Sequence, residues 1–417
     1  MEQDYFPLGQ GMQQTDEEVM QGLDGVFAKI EQVRDAVQLA MLHAFTQNRV
    51  GANHLMGTTG YGYDDAGREK LEAVFAGLTG SEAALYRHQF MSGTHTLAVA
   101  LFGVLRPGDT LLCATGRPYD TLHGVLGLSG DKGQGSLREF GVRYRELPFQ
   151  GGGLDLAEIQ TQAPQCQMLY LQRSRGYANR RALRTVDIEA AAKAAKAANP
   201  NITVFVDNCY GEFVEAREPT ACGADLMAGS LIKNPGGGIA PTGGYIAGKA
   251  ELVEKCAMRL TAPGVGGEIG CSGELLRQLY LGLYFAPGVV AEALKTAAYA
   301  SALYQKLGYT VSPSPEEARG DIITSITLGD REKLCVFCEA IQAMSPIDSF
   351  VKPEPWPMPG YDSEVIMAAG AFTNGSSIEL SCDAPLRAPY TAFLQGGLNF
   401  TASRIALLTA AQKMRAL

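Results

Sequence analysis

The sequence predicts an α/β protein in which a large domain, built on a mostly parallel sheet covered by helices, is followed by a smaller α+β domain. Three observations predict it. Between about residues 66 and 250, short apolar runs alternate with stretches of helical spacing, the pattern of a sheet buried on both faces. Two of those runs, 167–172 and 202–207, flank Val186-Asp-Ile-Glu-Ala-Ala-Ala-Lys-Ala-Ala-Lys, a string of strong helix formers, which makes one βαβ step. Beyond about residue 290 the alternation gives way to a different order of elements.

Taken along the chain, residues 12–49 have helical spacing and are expected to pack against the small domain or a second subunit. Strands are expected at 83–86, 110–114, 167–172 and 202–207, because each is an apolar run bounded by turn residues. After residue 290 the pattern reads as a helix, a strand near 322–328 and a helix around Cys335. Strands near 365–368 and 377–381 and a terminal helix ending at Leu417 follow. The expected division is an N-terminal helical segment (1–50), a large domain (51–290) and a small C-terminal domain (291–417). Two loops stand out. Residues 351–360 alternate prolines around the single tryptophan, Trp356, and read as a semi-rigid connector or a wall beside a pocket. Residues 234–244 hold five glycines, where the backbone turns tightly or approaches something closely.

Composition excludes several functions. The 417 residues carry 35 basic and 44 acidic side chains, a net charge of −9, which disfavours attraction to phosphate backbones, so no nucleic-acid partner is expected. The first residues lack the basic and apolar regions of a signal peptide, and no apolar run approaches the roughly 18 residues that span a bilayer. A cytoplasmic protein without a membrane partner is expected. The nine cysteines are odd in number and scattered, which argues for reduced thiols rather than a disulfide framework. Cys335-Val-Phe-Cys338 has C-x-x-C spacing, yet it sits on a helical pattern without a second pair, so two core thiols are expected and no metal. None of the five histidines forms a chelating pair.

Gly243-Gly-Tyr-Ile-Ala-Gly248-Lys249-Ala250 nearly spells a nucleotide P-loop. Ala250 stands where the magnesium-binding hydroxyl belongs, and the interior reads as a strand. The dinucleotide fingerprint G-x-G-x-x-G is absent as well. What the chain does offer is a set suited to pyridoxal phosphate (PLP), which is carried as a Schiff base on a lysine with an acid opposite its pyridine nitrogen. Asp207 ends an apolar strand, at the edge where a parallel sheet places ligand-binding groups. Lys233 lies between Ser230, a candidate phosphate donor, and the glycine loop. Taken singly, such an acid also serves as a strand-end cap and such a lysine as a solvated side chain. Met91-Ser92-Gly93-Thr94-His95 is a small-residue turn opening a helix, either an anion site or an ordinary Ser/Thr cap. Tyr119, in the turn after strand 110–114, is placed to stack on a pyridine ring or to pack structurally.

These segments resemble the fold-type I PLP enzymes, of the aspartate aminotransferase-like fold, over about residues 55–400. More narrowly, four segments resemble the methionine gamma-lyase-like, or aluminium resistance, family of carbon–sulfur lyases. They run from Tyr86 to His95, from Val206 to Phe213, from Gly229 to Gly238 and from Ser377 to Arg387. The resemblance implies that Lys233 is the Schiff-base lysine, Asp207 faces the ring nitrogen, and Tyr119 stacks on the ring. Ser92, Gly93, Thr94 and Ser230 would hold the phosphate. Arg387, in the last of the four segments, is the candidate for the substrate carboxylate on its own chemistry, since a guanidinium is a planar two-pronged donor. It implies a homodimer or homotetramer whose active sites are shared between subunits, a tyrosine loop crossing to the neighbour's phosphate. Here that loop is 60–65, with Tyr63 where the larger group often has arginine, so the contact is altered. No partner for the PLP phenolic oxygen is assigned among Arg173, Ser174 and Arg175, and no residues mark an aluminium site. The implied activity is β- or γ-elimination on a sulfur-containing amino acid related to cystathionine, cysteine or methionine. The alternatives are another fold-type I reaction, such as transamination or aldol cleavage, and a PLP-binding protein that is not a catalyst.

Overall fold

The computed structural model describes residues 5–130, 132–149, 152–358 and 363–417. A seven-stranded sheet is formed by β1 (Ala83–Arg87), β2 (Thr110–Cys113), β3 (Arg143–Glu146), β4 (Met168–Gln172), β5 (Thr203–Asp207), β6 (Leu226–Ser230) and β7 (Gly244–Gly248). Their order is β1-β7-β6-β5-β4-β2-β3, parallel except for β7, which runs antiparallel to both neighbours. The near P-loop is therefore an interior strand.

Successive strand residues feed opposite faces, and both faces are covered, which is why the strands read as continuous apolar runs. Leu111, Cys113, Phe205 and Ile246 pack with the helices Gly93–Val104 and Ala250–Leu260. Leu112, Val204, Val206 and Ala247 pack on the other side with Ala66–Thr79, Thr185–Ala198 and the first half of Leu276–Lys306. Because β2, β4, β5 and β6 are mutually parallel, their C-terminal ends lie along one edge of the sheet. That edge carries the candidate site.

A second sheet, wholly antiparallel, has the order β10-β11-β12-β9-β8. Its strands are β8 (Thr310–Ser312), β9 (Thr324–Thr327), β10 (Val365–Ala368), β11 (Ser381–Pro385) and β12 (Thr391–Gln395). It packs with the helices Arg331–Ala343 and Phe400–Arg415 and with the second half of Leu276–Lys306, so one 31-residue helix runs through position 290 and joins both cores.

The strand expected at 377–381 is displaced to β11, and β12 was not anticipated. Residues 371–380 instead fold into a turn in which the Glu379 carboxylate accepts from the Phe372 and Thr373 amides at 2.8 and 3.0 Å. The N-terminal segment divides: helix Gln10–Gln21 sends Met12 and Val19 into the small core, whereas helix Asp24–Gln47 sends Val37, Met41 and Ala44 into the large one. Cys338 is fully buried, 3.9 Å from Cys382, while Cys335 is half-buried. Trp356 pairs with Val365 beside β10, as a connector would; residues 359 and 360 of that loop lie outside the described residues.

Candidate active site

The loops after β2, β4, β5 and β6, with the start of helix Gly93–Val104, enclose a pocket of about 210 Å³. Seven of the nine residues predicted from sequence border it: Ser92, Gly93, Thr94, Tyr119, Asp207, Ser230 and Lys233. Tyr63 does not, and Arg387 does not.

One end of the pocket is built for an anion. Ser92 caps the helix, its Oγ accepting the His95 amide at 3.1 Å, and Thr94 Oγ1 shares a hydrogen bond of 2.8 Å with Thr121 Oγ1. The Gly93 and Thr94 amides precede the first intrahelical bond, so they carry the positive end of the helix dipole to the pocket. Facing them, Ser230 Oγ is buried and has no hydrogen-bond partner among the described residues. A buried hydroxyl left unpaired costs about 1–3 kcal/mol, and a phosphate would accept from it.

At the other end Asp207 closes β5. Tyr170 OH donates to its Oδ2 at 3.2 Å and the Cys209 amide to its Oδ1 at 3.1 Å. Burial pushes the carboxyl above the ordinary carboxylate range, against those donors and the charge of Lys233. Lys233, half-buried, donates from Nζ to Ser377 Oγ at 3.2 Å, and its Nζ lies 3.6 Å from the centroid of the Tyr210 ring. Burial works against its charge, but Tyr210, Cys209 and Glu212 outweigh it and leave the amine above the usual lysine value. Tyr119 is held by its backbone amide, which donates to Gln172 Oε1 at 2.7 Å, and its ring meets Tyr177 edge-on at 5.5 Å. Gly176, at φ +54°, makes room for that ring: a Cβ there would lie 3.1 Å from Tyr119 Cδ2.

The three unassigned residues after β4 separate. Ser174 borders the pocket and donates to Asp321 at 3.0 Å. Arg175 turns the other way, into a neighbouring cavity of about 370 Å³ that also contains Arg387 and Tyr177. Arg173 is fully buried beneath the loop after β5, donating to Asn208 Oδ1 at 2.8 Å and pairing with Glu215 and Glu218 at 3.0 and 3.6 Å. Arg387 is thus an exposed residue of the adjoining cavity, because the bend after β11 carries it past the pocket that holds Lys233. Tyr63 is 59% exposed beside Tyr61, on a loop fixed by the buried residues Asp65 and Arg68; Arg68 donates to the Gly62 carbonyl at 2.9 Å.

Sequence reasoning missed Gln172, Cys209 and Tyr210 as pocket residues. Gln172 had a usable signal, since it pairs in register with Asp207 and so ends its strand at the same edge. Tyr210 had none, because its place depends on a left-handed backbone, φ +70°, imposed from elsewhere in the fold.

The buried, unpaired Ser230 hydroxyl opposite a helix start, with a lysine and an acid in the same pocket, fits PLP. Comparison with known proteins points the same way. A Clostridium novyi NT carbon–sulfur lyase involved in aluminium resistance is 46% identical and superposes with a TM-score of 0.94, covering 98% of this chain and 97% of that one. A proposed cystathionine beta-lyase involved in aluminium resistance from Clostridium acetobutylicum is 43% identical with a TM-score of 0.95, over 99% and 97% of the two chains. The Bacillus subtilis protein YnbB is 45% identical over 413 residues, 99% of this chain and 98% of its own. Since the methionine gamma-lyase family model also matches residues 12–415, the chain belongs to that family and has the fold of the PLP-dependent fold-type I enzymes.

Proposed function

We propose that the protein is a PLP-dependent carbon–sulfur lyase that splits a sulfur-containing amino acid by β- or γ-elimination. The observation that carries this reading is the Ser230 hydroxyl, buried and unpaired opposite the first turn of helix Gly93–Val104, in the pocket that also contains Lys233 and Asp207. The two clostridial relatives, named for carbon–sulfur lyase and cystathionine beta-lyase activity, support it.

In this reading Ser92, Gly93, Thr94 and Ser230 hold the phosphate, Tyr119 borders the ring, and Asp207 meets the ring nitrogen. A cation arriving beside Asp207 would return its carboxyl to the ionised form that burial disfavours. The bound cofactor supplies an electron sink for negative charge at the substrate Cα. Lys233 Nζ takes the Cα proton, and in γ-elimination also a Cβ proton. Ser377 and Tyr210 keep the amine within the pocket between transfers. With one water consumed, β-elimination yields a thiol, ammonia and pyruvate; γ-elimination yields the 2-oxo acid one carbon longer. Arg387 offers the substrate carboxylate its guanidinium from the adjoining cavity. A second copy of the chain completes the site with Tyr63, a role supported by the exposure of Tyr61 and Tyr63 on a firmly anchored loop. The nine free cysteines support a reducing, cytoplasmic setting.

The test is a panel of cysteine, cystathionine, methionine and homocysteine, scoring thiol or sulfide release together with the 2-oxo acid formed. Thiol and 2-oxo acid in equal amounts are expected. A requirement for an amino-group acceptor, or bound PLP without turnover, would reject elimination. Borohydride should fix PLP to Lys233 and leave no adduct in Lys233→Ala; fixation at another lysine would reject the assignment.

A further inference from the structure

The Tyr210 backbone adopts φ +70°, a left-handed conformation that costs a non-glycine residue energy and persists only where its surroundings enforce it. Here the enforcement is visible. Asn208, next to Asp207, is fully buried and fixed on all sides. Its backbone amide donates to Ala228 at 2.9 Å, its Oδ1 accepts from Arg173 at 2.8 Å, and its Nδ2 donates to Glu218 at 2.8 Å and to Tyr245 OH at 3.1 Å. Gly211, next to Tyr210, lies so close to Arg173 that a Cβ would fall 2.3 Å from its Cδ. Phe213, also left-handed at φ +62°, is pinned by its amide to Glu218 Oε1 at 2.8 Å. A buried arginine and its two acids thus clamp the turn on both sides of Tyr210, and the product of the clamp is an aromatic ring 3.6 Å from Lys233 Nζ.

We propose that Tyr210 is a positioning residue for Lys233: the face of its ring is the seat on which the ammonium group rests whenever the amine is not covalently engaged. The ring quadrupole attracts a cation at this distance and holds it more strongly where water is excluded. This deepens the lyase reading, on which it rests, because an amine that must collect a proton and give it up again needs a fixed place to carry it. Other groups face Lys233 as well. Cys209 and Glu212 do so from the same turn, Asp207 from the end of β5 and Asp383 from β11, with the Ser377 hydroxyl as one hydrogen-bond partner and the Tyr210 hydroxyl as another. Tyr210 differs from all of these in setting the face of an aromatic ring against the amine.

The experiment is competitive labelling of the full, cofactor-free chain with acetic anhydride across pH 7–11, following Lys233 by peptide mass spectrometry with Lys249 as internal reference. Tyr210→Leu should raise the Lys233 rate at pH 9 about tenfold, as loss of a partly desolvated cation–π contact implies. Tyr210→Phe, which keeps the ring face and gives up only the hydroxyl, should label well below the Tyr210→Leu rate. A wild-type rate in Tyr210→Leu, or a Tyr210→Phe rate equal to that of Tyr210→Leu, would overturn the proposal. Should Tyr210→Leu unfold, seen as equal acceleration at Lys249, 3,4,5-trifluorophenylalanine at position 210 carries the test. It keeps the ring's shape and drains its face, so faster labelling than in Tyr210→Phe is expected, and an equal rate overturns the proposal. No amino acid is present in these measurements, so failure of the substrate panel and failure here are separate results.

Discussion

Replacing Ser230 by alanine should act in opposite directions on the empty and the loaded protein. In the cofactor-free chain the Ser230 hydroxyl is buried at the end of β6 with no partner among the described residues. An unpaired buried hydroxyl costs about 1–3 kcal/mol, while the methyl group of alanine fits the same space with almost no loss of volume. Ser230→Ala should therefore raise the stability of the empty protein by about 1 kcal/mol. A hydroxyl that donates to an anion contributes about 1.5–3 kcal/mol, so the same change should weaken PLP binding roughly 10- to 100-fold. Pyridoxal, which has no phosphate, should bind both proteins equally. The assay is urea unfolding of cofactor-free wild type and variant, followed by titration of each with PLP and with pyridoxal, read by absorbance. A less stable empty variant would mean that the hydroxyl already has a partner. Unchanged PLP affinity, or an equal loss for pyridoxal, would place the phosphate somewhere else.

Other consequences follow from neighbouring residues. Burial pushes Glu212 up to about 8, so between its ordinary value and pH 8 the folded chain holds a proton that the unfolded chain has lost. Stability should thus fall as pH rises through that window, and Glu212→Gln should remove a pH-dependent loss of about 3 kcal/mol, measured as the difference between the two urea-unfolding curves at pH 5.5 and 8.5. Arg173→Met leaves Glu215 and Glu218 without their buried partner and should cost about 3–5 kcal/mol, checked by urea unfolding. Gly176→Ala puts a methyl group against Tyr119 at a left-handed position; a loss of about 1–2 kcal/mol in stability and weaker PLP binding are expected from the same two assays.

What the sequence made legible, and what it did not, divides along a physical line. The central strands were readable because both faces of β2, β4 and β5 are buried, which forces their interior positions to be apolar and leaves polar residues only at the ends. Asp207, Lys233 and the Ser92–Thr94 turn were readable for a related reason: parallel strands bring their ends to one edge, so a polar residue just past an apolar run is already near the site. Arg173, Ser174 and Arg175 were not separable, since consecutive residues at a strand end point in different directions. The choice among buried network, pocket and adjoining cavity is made by Asn208, Asp321 and Ser312, each more than thirty residues away.

The displaced strand at 377–381 has the same origin. Ile378 and Leu380 alternate as a strand should, but the carbonyls of Ser377, Ile378 and Glu379 crowd around Gly396, and Gly397 donates to the Ile378 carbonyl at 2.8 Å, so the segment bends where a ladder would have run straight. That bend brings Ser377 to the Lys233 amine. Tyr210 reaches the same amine from the opposite direction in sequence, through a backbone twist set by Arg173. The two contacts that locate the lysine therefore both depend on departures from local preference, one in each sheet's surroundings. A reading based on local preference finds the lysine but not what holds it, because the holding groups sit where tertiary contacts override the chain's own tendencies.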